Sequence, residues 1–150
     1  LKAPVSVLVV IHTPDLQVLL LERATRPGFW QSVTGSQEPG EPLQTTALRE
    51  VAEETGLTAP ASALHDWRLS NRFEIFAEWR HRYAPGITHN TEHVFSLVLP
   101  AATAVTLSGE EHQRYCWRPW QAAAAACFSW TNRDAILMLP RFQADSTRLS

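Results

Sequence analysis

Glu50, Glu53 and Glu54 are related by three- and four-residue steps inside Leu43–Thr55, a run that holds no Gly or Pro. On a helix such steps bring side chains to one side. The same run puts Ala47, Leu48, Val51, Ala52 and Thr55 on a separate, broad apolar face. One face can therefore enter a core while the other presents oxygen ligands. Neighbouring carboxylates disfavour each other's charged forms. Mg2+ relieves that repulsion, prefers hard oxygen donors, and commonly combines a few carboxylates with water and substrate phosphates. The helix points to a divalent-cation site acting on phosphate-bearing compounds. A solvated acidic face, with Arg49 in an ordinary ion pair with Glu53, is the plainer alternative.

The flanks of the run are punctuated as a helix requires. Pro42 suits the first turn, where its missing N–H is not needed. Glu41 suits the positive helix end, and Gly56 suits a left-handed C-cap. Taken together, Gly35, five residues, Glu41, seven residues, Arg49-Glu50, Val51, one residue, Glu53-Glu54, Thr55, Gly56 and Leu57 resemble the Nudix box without a departure. That resemblance implies Mg2+-dependent hydrolysis of a diphosphate linkage, with Mn2+ as a possible substitute. It implies that Glu50, Glu53 and Glu54 supply the metal cluster. Glu41 and Arg49 would support the loop-helix-loop geometry, and Gly35 would permit a close turn. Glu53 is left open between metal ligand and general base, since a carboxylate can fill either role. The implied fold is an α/β/α sandwich with a mixed central sheet, one domain over residues 1–150.

The elements that must position this helix can be traced along the chain. Val5–Ile11 is apolar except for Ser6 and predicts a buried strand, interrupted by Thr13-Pro14-Asp15. Val18–Leu21 predicts its partner. Arg26-Pro27-Gly28 predicts a turn into Phe29–Val33. Leu69, Phe73, Ile75 and Phe76 fall in a less regular strand-loop region. His93–Leu99 predicts a clearer strand ended by Pro100, and Tyr115–Trp117 a short one. Pro119 precedes a weaker helical region. Asn132 predicts the cap of a final helix containing Ala135–Leu139, stopped by Pro140. This mixture of strands and flanking helices supports an α/β class.

Outside the box, the chain resembles bacterial dihydroneopterin triphosphate pyrophosphatases over most of its length. The segments that carry the likeness are Phe29–Gly35, Phe73–Phe76, Arg80–Gly86, Asn90–Glu92, Glu111-His112, Tyr115, Trp117 and Ser129–Arg133. The likeness implies release of pyrophosphate from a pterin triphosphate, a step toward folate. Aromatics near the box suit a planar ring, and Arg or Lys suits the phosphate tail. Arg23, Phe29, Trp30, Arg80, Arg82 and Asn132 are the candidate substrate contacts. Each also has a structural reading: ion pairing for Arg23, a solvated face for Arg80 and Arg82, packing for Phe29 and Trp30, capping for Asn132. Glu111 matches a downstream catalytic carboxylate that would bind a further metal or position water, although Glu110 stands beside it.

Other features narrow the function by exclusion. The formal charge is only −2 over 150 residues, which gives no footprint for nucleic acid. No apolar run approaches the length of a membrane span, and the amino end reads as a strand rather than a secretory signal. Cys116 and Cys127 make no disulfide framework, in keeping with a cytoplasmic protein. His89-Asn-Thr-Glu-His93 lacks the order and the further ligands of a zinc site.

Overall fold

The computed structural model describes residues 1–149, with side chains described as far as Gln143. Strand β1, Val5–His12, lies at the centre because nearly all its side chains are apolar and both of its faces are covered. It runs parallel to β6, His89–Val98, in a register from Val5↔Thr91 to His12↔Val98. Its other edge is shared. β4, Val33–Ser36, lies antiparallel to Ser6–Val9, whereas β2, Gln17–Arg23, meets β1 only at His12↔Val18. β1 and β2 thus diverge, and the gap between them is bridged by β3, Trp30–Gln31, which pairs with β2 and is separated from β4 by Ser32 alone. β7, His112–Pro119, closes the outer edge of β2, and β5, Leu64–Glu74, the outer edge of β6.

The two-residue period of β1 sorts its side chains between two cores. Val7, Val9 and Ile11 face α1, Leu43–Thr55, and pack with Ala47, Val51, Phe95 and Leu97. Leu8 and Val10 face α2, Trp120–Ala126, and α3, Trp130–Leu149, through Ala123, Ala135, Ile136 and Leu139. Burying each large aliphatic side chain is worth about 1.5–3 kcal/mol, so the mixed sheet is held from both sides. The α/β/α sandwich follows from that arrangement.

Several expectations change. α1 buries Thr46, Ala47, Val51, Glu54 and Thr55, whereas Ala52 is exposed and Leu48 half-buried. Its buried stripe is therefore narrower than the apolar face, and one carboxylate turns inward. Asn132 does not cap α3; it is the third residue of that helix, buried and bonded to Ser32. Pro140 does not stop α3 either. Ala135, Ile136 and Leu139 anchor the helix before the proline, and Phe142 stacks on Trp67 just after it, with ring centroids 4.0 Å apart. This packing offsets the roughly 3 kcal/mol that an interior proline costs. Strands β6 and β7 start earlier than their apolar segments, because polar residues line the ends that approach the site. Among the described residues, no helix is long and apolar enough to cross a membrane.

Candidate active site

The loop before α1 is held by one guanidinium. Arg49 donates Nε and Nη2 to the two carboxylate oxygens of Glu41 at 2.8 and 2.9 Å, and Nη2 also to the Ser36 carbonyl at 3.0 Å. Its Nη1 donates to Glu50 at 2.9 Å and, more loosely, to Glu53 at 3.3 Å. Arg49 therefore serves Glu41 first, and its hydrogen bonds to Glu53 are the longest it makes, with Glu38 farther still at 3.8 Å. A planar fork suits this bidentate grip. Beside Arg49, with help from the Thr46 hydroxyl, the Glu41 carboxyl is lowered to about 2. Gly56 caps α1 in the left-handed region at φ 71°, as expected.

Gly35 plays a different part from the expected turn. It lies in β4 opposite Val7, and a Cβ built on it would meet Glu50 Cδ at 1.9 Å. The residue is small because the Glu50 carboxyl occupies the space of its missing side chain. Strand β4 is thereby joined closely to α1, and Glu50 is directed toward Glu54.

Glu54 is only 1% exposed, and neither of its oxygens has a hydrogen-bond partner. Burial, with Glu50 and Glu111 next, pushes its carboxyl well above the usual carboxylate range. Glu111 and His112 each bring a ligand-capable atom to it, the three atoms lying within 4.8 Å of one another. Of the two adjacent acids, Glu111 is therefore the one that reaches the cluster. His112 is oriented by a relay. Arg23 Nη1 can only donate, so the Gln31 oxygen at 3.5 Å faces it, and the Gln31 amide nitrogen donates to His112 Nε2 at 3.0 Å. Burial, then Arg23, lowers the His112 pKa to about 4, so the ring is neutral and its proton sits on Nδ1, 3.7 Å from Glu54 Oε1.

The charged ligand atoms of the cluster are carboxylate oxygens, with the neutral imidazole beside them. A buried carboxylate without a partner is costly, and a hard divalent cation supplies the missing charge and accepts oxygen ligands. Glu54 and Glu111, with Glu50 alongside, fit such an ion. Glu53 stands apart from the buried cluster, its side chain 55% exposed.

Next to these acids opens a cavity of about 380 Å³, within the range of small-molecule sites. Lys2, Arg23 and Arg82 supply its cations, and Phe73, Trp79 and Trp130 are among its aromatics. Thr34, Gly35 and Ser36 form the border shared with the carboxylate helix. Of the expected substrate contacts, Arg23, Arg82 and Asn132 line this cavity. Asn132 is committed to Ser32: its Oδ1 accepts from the Ser32 N–H at 2.7 Å and its Nδ2 donates to Ser32 Oγ at 3.0 Å. Phe29, Trp30 and Arg80 lie outside the lining. Phe29 stacks on Phe128, Trp30 packs in the core beneath Arg114, and Arg80 is tied to Glu74 and the Ile75 carbonyl. Lys2, Gln31, Asn90 and Glu92 escape a sequence reading as site residues. Gln31, Asn90 and Glu92 fall within the segments that carry the family likeness, but nothing local singles them out as contacts beyond their polarity in strands that are otherwise apolar.

The NUDIX domain family profile matches residues 2–139. The chain is 49% identical to a dihydroneopterin triphosphate diphosphatase of Escherichia coli (strain K12) over 138 residues, 90% of this chain and 91% of that one. A protein of the same description from Haemophilus influenzae is 43% identical over 134 residues, covering 87% and 84% of the two chains. The solved structure of the E. coli dihydroneopterin triphosphate pyrophosphohydrolase superimposes with a TM-score of 0.83 at 48% identity, covering 90% of this chain and 93% of that one.

Proposed function

The chain belongs to the Nudix family, and from that premise we propose that it cleaves dihydroneopterin triphosphate to dihydroneopterin monophosphate and pyrophosphate, using Mg2+. The observation that carries this reading is a buried, partnerless Glu54 beside a cavity that combines aromatic walls with Lys2, Arg23 and Arg82. Similarity to diphosphatases of that substrate over nine-tenths of the chain supports the choice of ring.

In this reading Glu50, Glu54 and Glu111 hold the cation, which supplies positive charge against the diphosphate oxygens and acidifies water. Arg23 and Arg82 bind the phosphate tail, and the aromatic walls hold the ring. Gln31 orients the His112 ring beside Glu54, while Arg49 holds Glu50 and, more loosely, Glu53 so that little reorganisation is needed on binding. Water attacks phosphorus at the bond between the first two phosphates. A new P–O bond forms, the bridging P–O bond breaks, and pyrophosphate departs. The attacking water gives its proton to a solvent-facing carboxylate, for which Glu53 is the assigned base.

The test is kcat/KM in Mg2+ for dihydroneopterin triphosphate, dATP, an oxidised dGTP and ADP-ribose, with pyrophosphate resolved from single phosphate. Preference for the pterin compound with pyrophosphate as product is expected. Preference for any of the others would retain the diphosphate chemistry and reject the substrate.

A further inference from the structure

The floor of the cavity contains two buried acceptors that the hydrolytic chemistry does not use. Asn90 and Glu92 lie two residues apart on β6 and so share a face of the sheet. They are 5% and 6% exposed, and both line the cavity. Asn90 Nδ2 donates to Ser6 Oγ at 2.8 Å, which leaves its Oδ1 without a partner. Glu92 Oε1 also has none. Natural proteins seldom leave such atoms unpaired, and two acceptors together call for a ligand that presents donors.

The register shows where that ligand edge would lie. Ser6 pairs with Glu92 on one side of β1 and with Ser36 on the other. Glu92 is therefore two strand spacings, about 10 Å, from the strand that carries Gly35 and meets the carboxylate helix. An extended substrate with its phosphates at the acids would bring its far end to the floor of a cavity that Phe73 and Trp130 also line.

We propose that Glu92 and Asn90 are specificity-determining residues that accept hydrogen bonds from the donor edge of a 2-amino-4-oxo heterocycle, the ring N–H and its neighbouring amino group. The assignment rests on the pterin reading above and deepens it. Burial pushes the Glu92 carboxyl up to about 7 while the Thr131 hydroxyl opposes that shift, and ligand N–H groups would favour the ionised, accepting form. A ring carrying a carbonyl in place of the 2-amino group would set oxygen against oxygen.

Pterin and lumazine differ in that one substituent, and both fluoresce. Their dissociation constants, measured by fluorescence titration in metal-free buffer with wild type and Glu92→Gln, test the assignment without turnover. Wild type should bind pterin at least about tenfold more tightly than lumazine, the size of one hydrogen bond to a charged group. Glu92→Gln should bring the ratio close to one at unchanged Tm. Equal binding of the two rings by wild type, binding of neither, or a ratio retained in the variant would overturn it. The wild-type ratio decides the matter should the variant misfold. A ring ratio that holds while dihydroneopterin triphosphate is turned over no better than dATP would keep the floor assignment and reject the proposed substrate in favour of another triphosphate with the same edge.

Discussion

Glu54 concentrates the energetics of the site in one residue. Its oxygens lack partners while its neighbours are further acids, so a cation bound here, as proposed above, would offset that repulsion. Mg2+ should therefore raise the Tm of wild type, by an amount equivalent to about 2.7 kcal/mol at a hundred times its Kd. Glu54→Gln should abolish that rise and lower kcat roughly 100-fold or more. An equal Mg2+-dependent rise in both proteins, followed by thermal melts, would remove Glu54 from the cation site. The arginines divide in a similar way. Arg82 lines the cavity, whereas Arg80 is engaged by Glu74 and Ile75. Arg82→Ala should raise KM for the triphosphate roughly tenfold, and Arg80→Ala should change it much less. Steady-state kinetics on both variants would expose the reverse order.

At the scale of elements, α1 and its preceding loop act as one piece because Arg49 bridges Glu41, Ser36 and Glu50. Glu41→Gln should cost about 1–3 kcal/mol of stability. The Glu41 carboxyl is held down to about 2 from an ordinary 4.5, so its stabilisation is present above pH 4.5 and is lost as pH falls toward 2. The Tm difference between wild type and Glu41→Gln should accordingly shrink over that window in a pH series of melts. A difference that stays constant down to pH 2 would contradict the ion-pair account. α1 itself is legible in the sequence, since its span and its Gly56 cap are local properties. The inward turn of Glu54 is not, because it depends on His112 and Glu111 arriving from the far end of the chain. Likewise, Asn132 looks like a cap by its neighbours, yet its side chain is used by Ser32, one hundred residues away.

For the whole molecule, the two cores have different duties. One supports α1 and thus the acids; the other carries α2 and α3. Trp67 joins the second core to α3 through Phe142 and donates to Ser96 Oγ at 2.8 Å. Trp67→Ala should cost about 3–5 kcal/mol, a fall in Tm of roughly 10 °C, with kcat/KM nearly unchanged well below the new Tm. Calorimetry and kinetics on the same preparation would check this, and a parallel loss of activity would mean that the cores are coupled. By itself the sequence determined the family, the carboxylate helix, the α/β class and the strand at its centre, because spacing, capping and alternation are short-range. Only the tertiary structure decided that Gly35 makes room for Glu50, that Pro140 is carried inside a helix, and that Asn90 and Glu92 floor the cavity. Each of these depends on contacts between different elements of the fold, where packing and desolvation outweigh local preference.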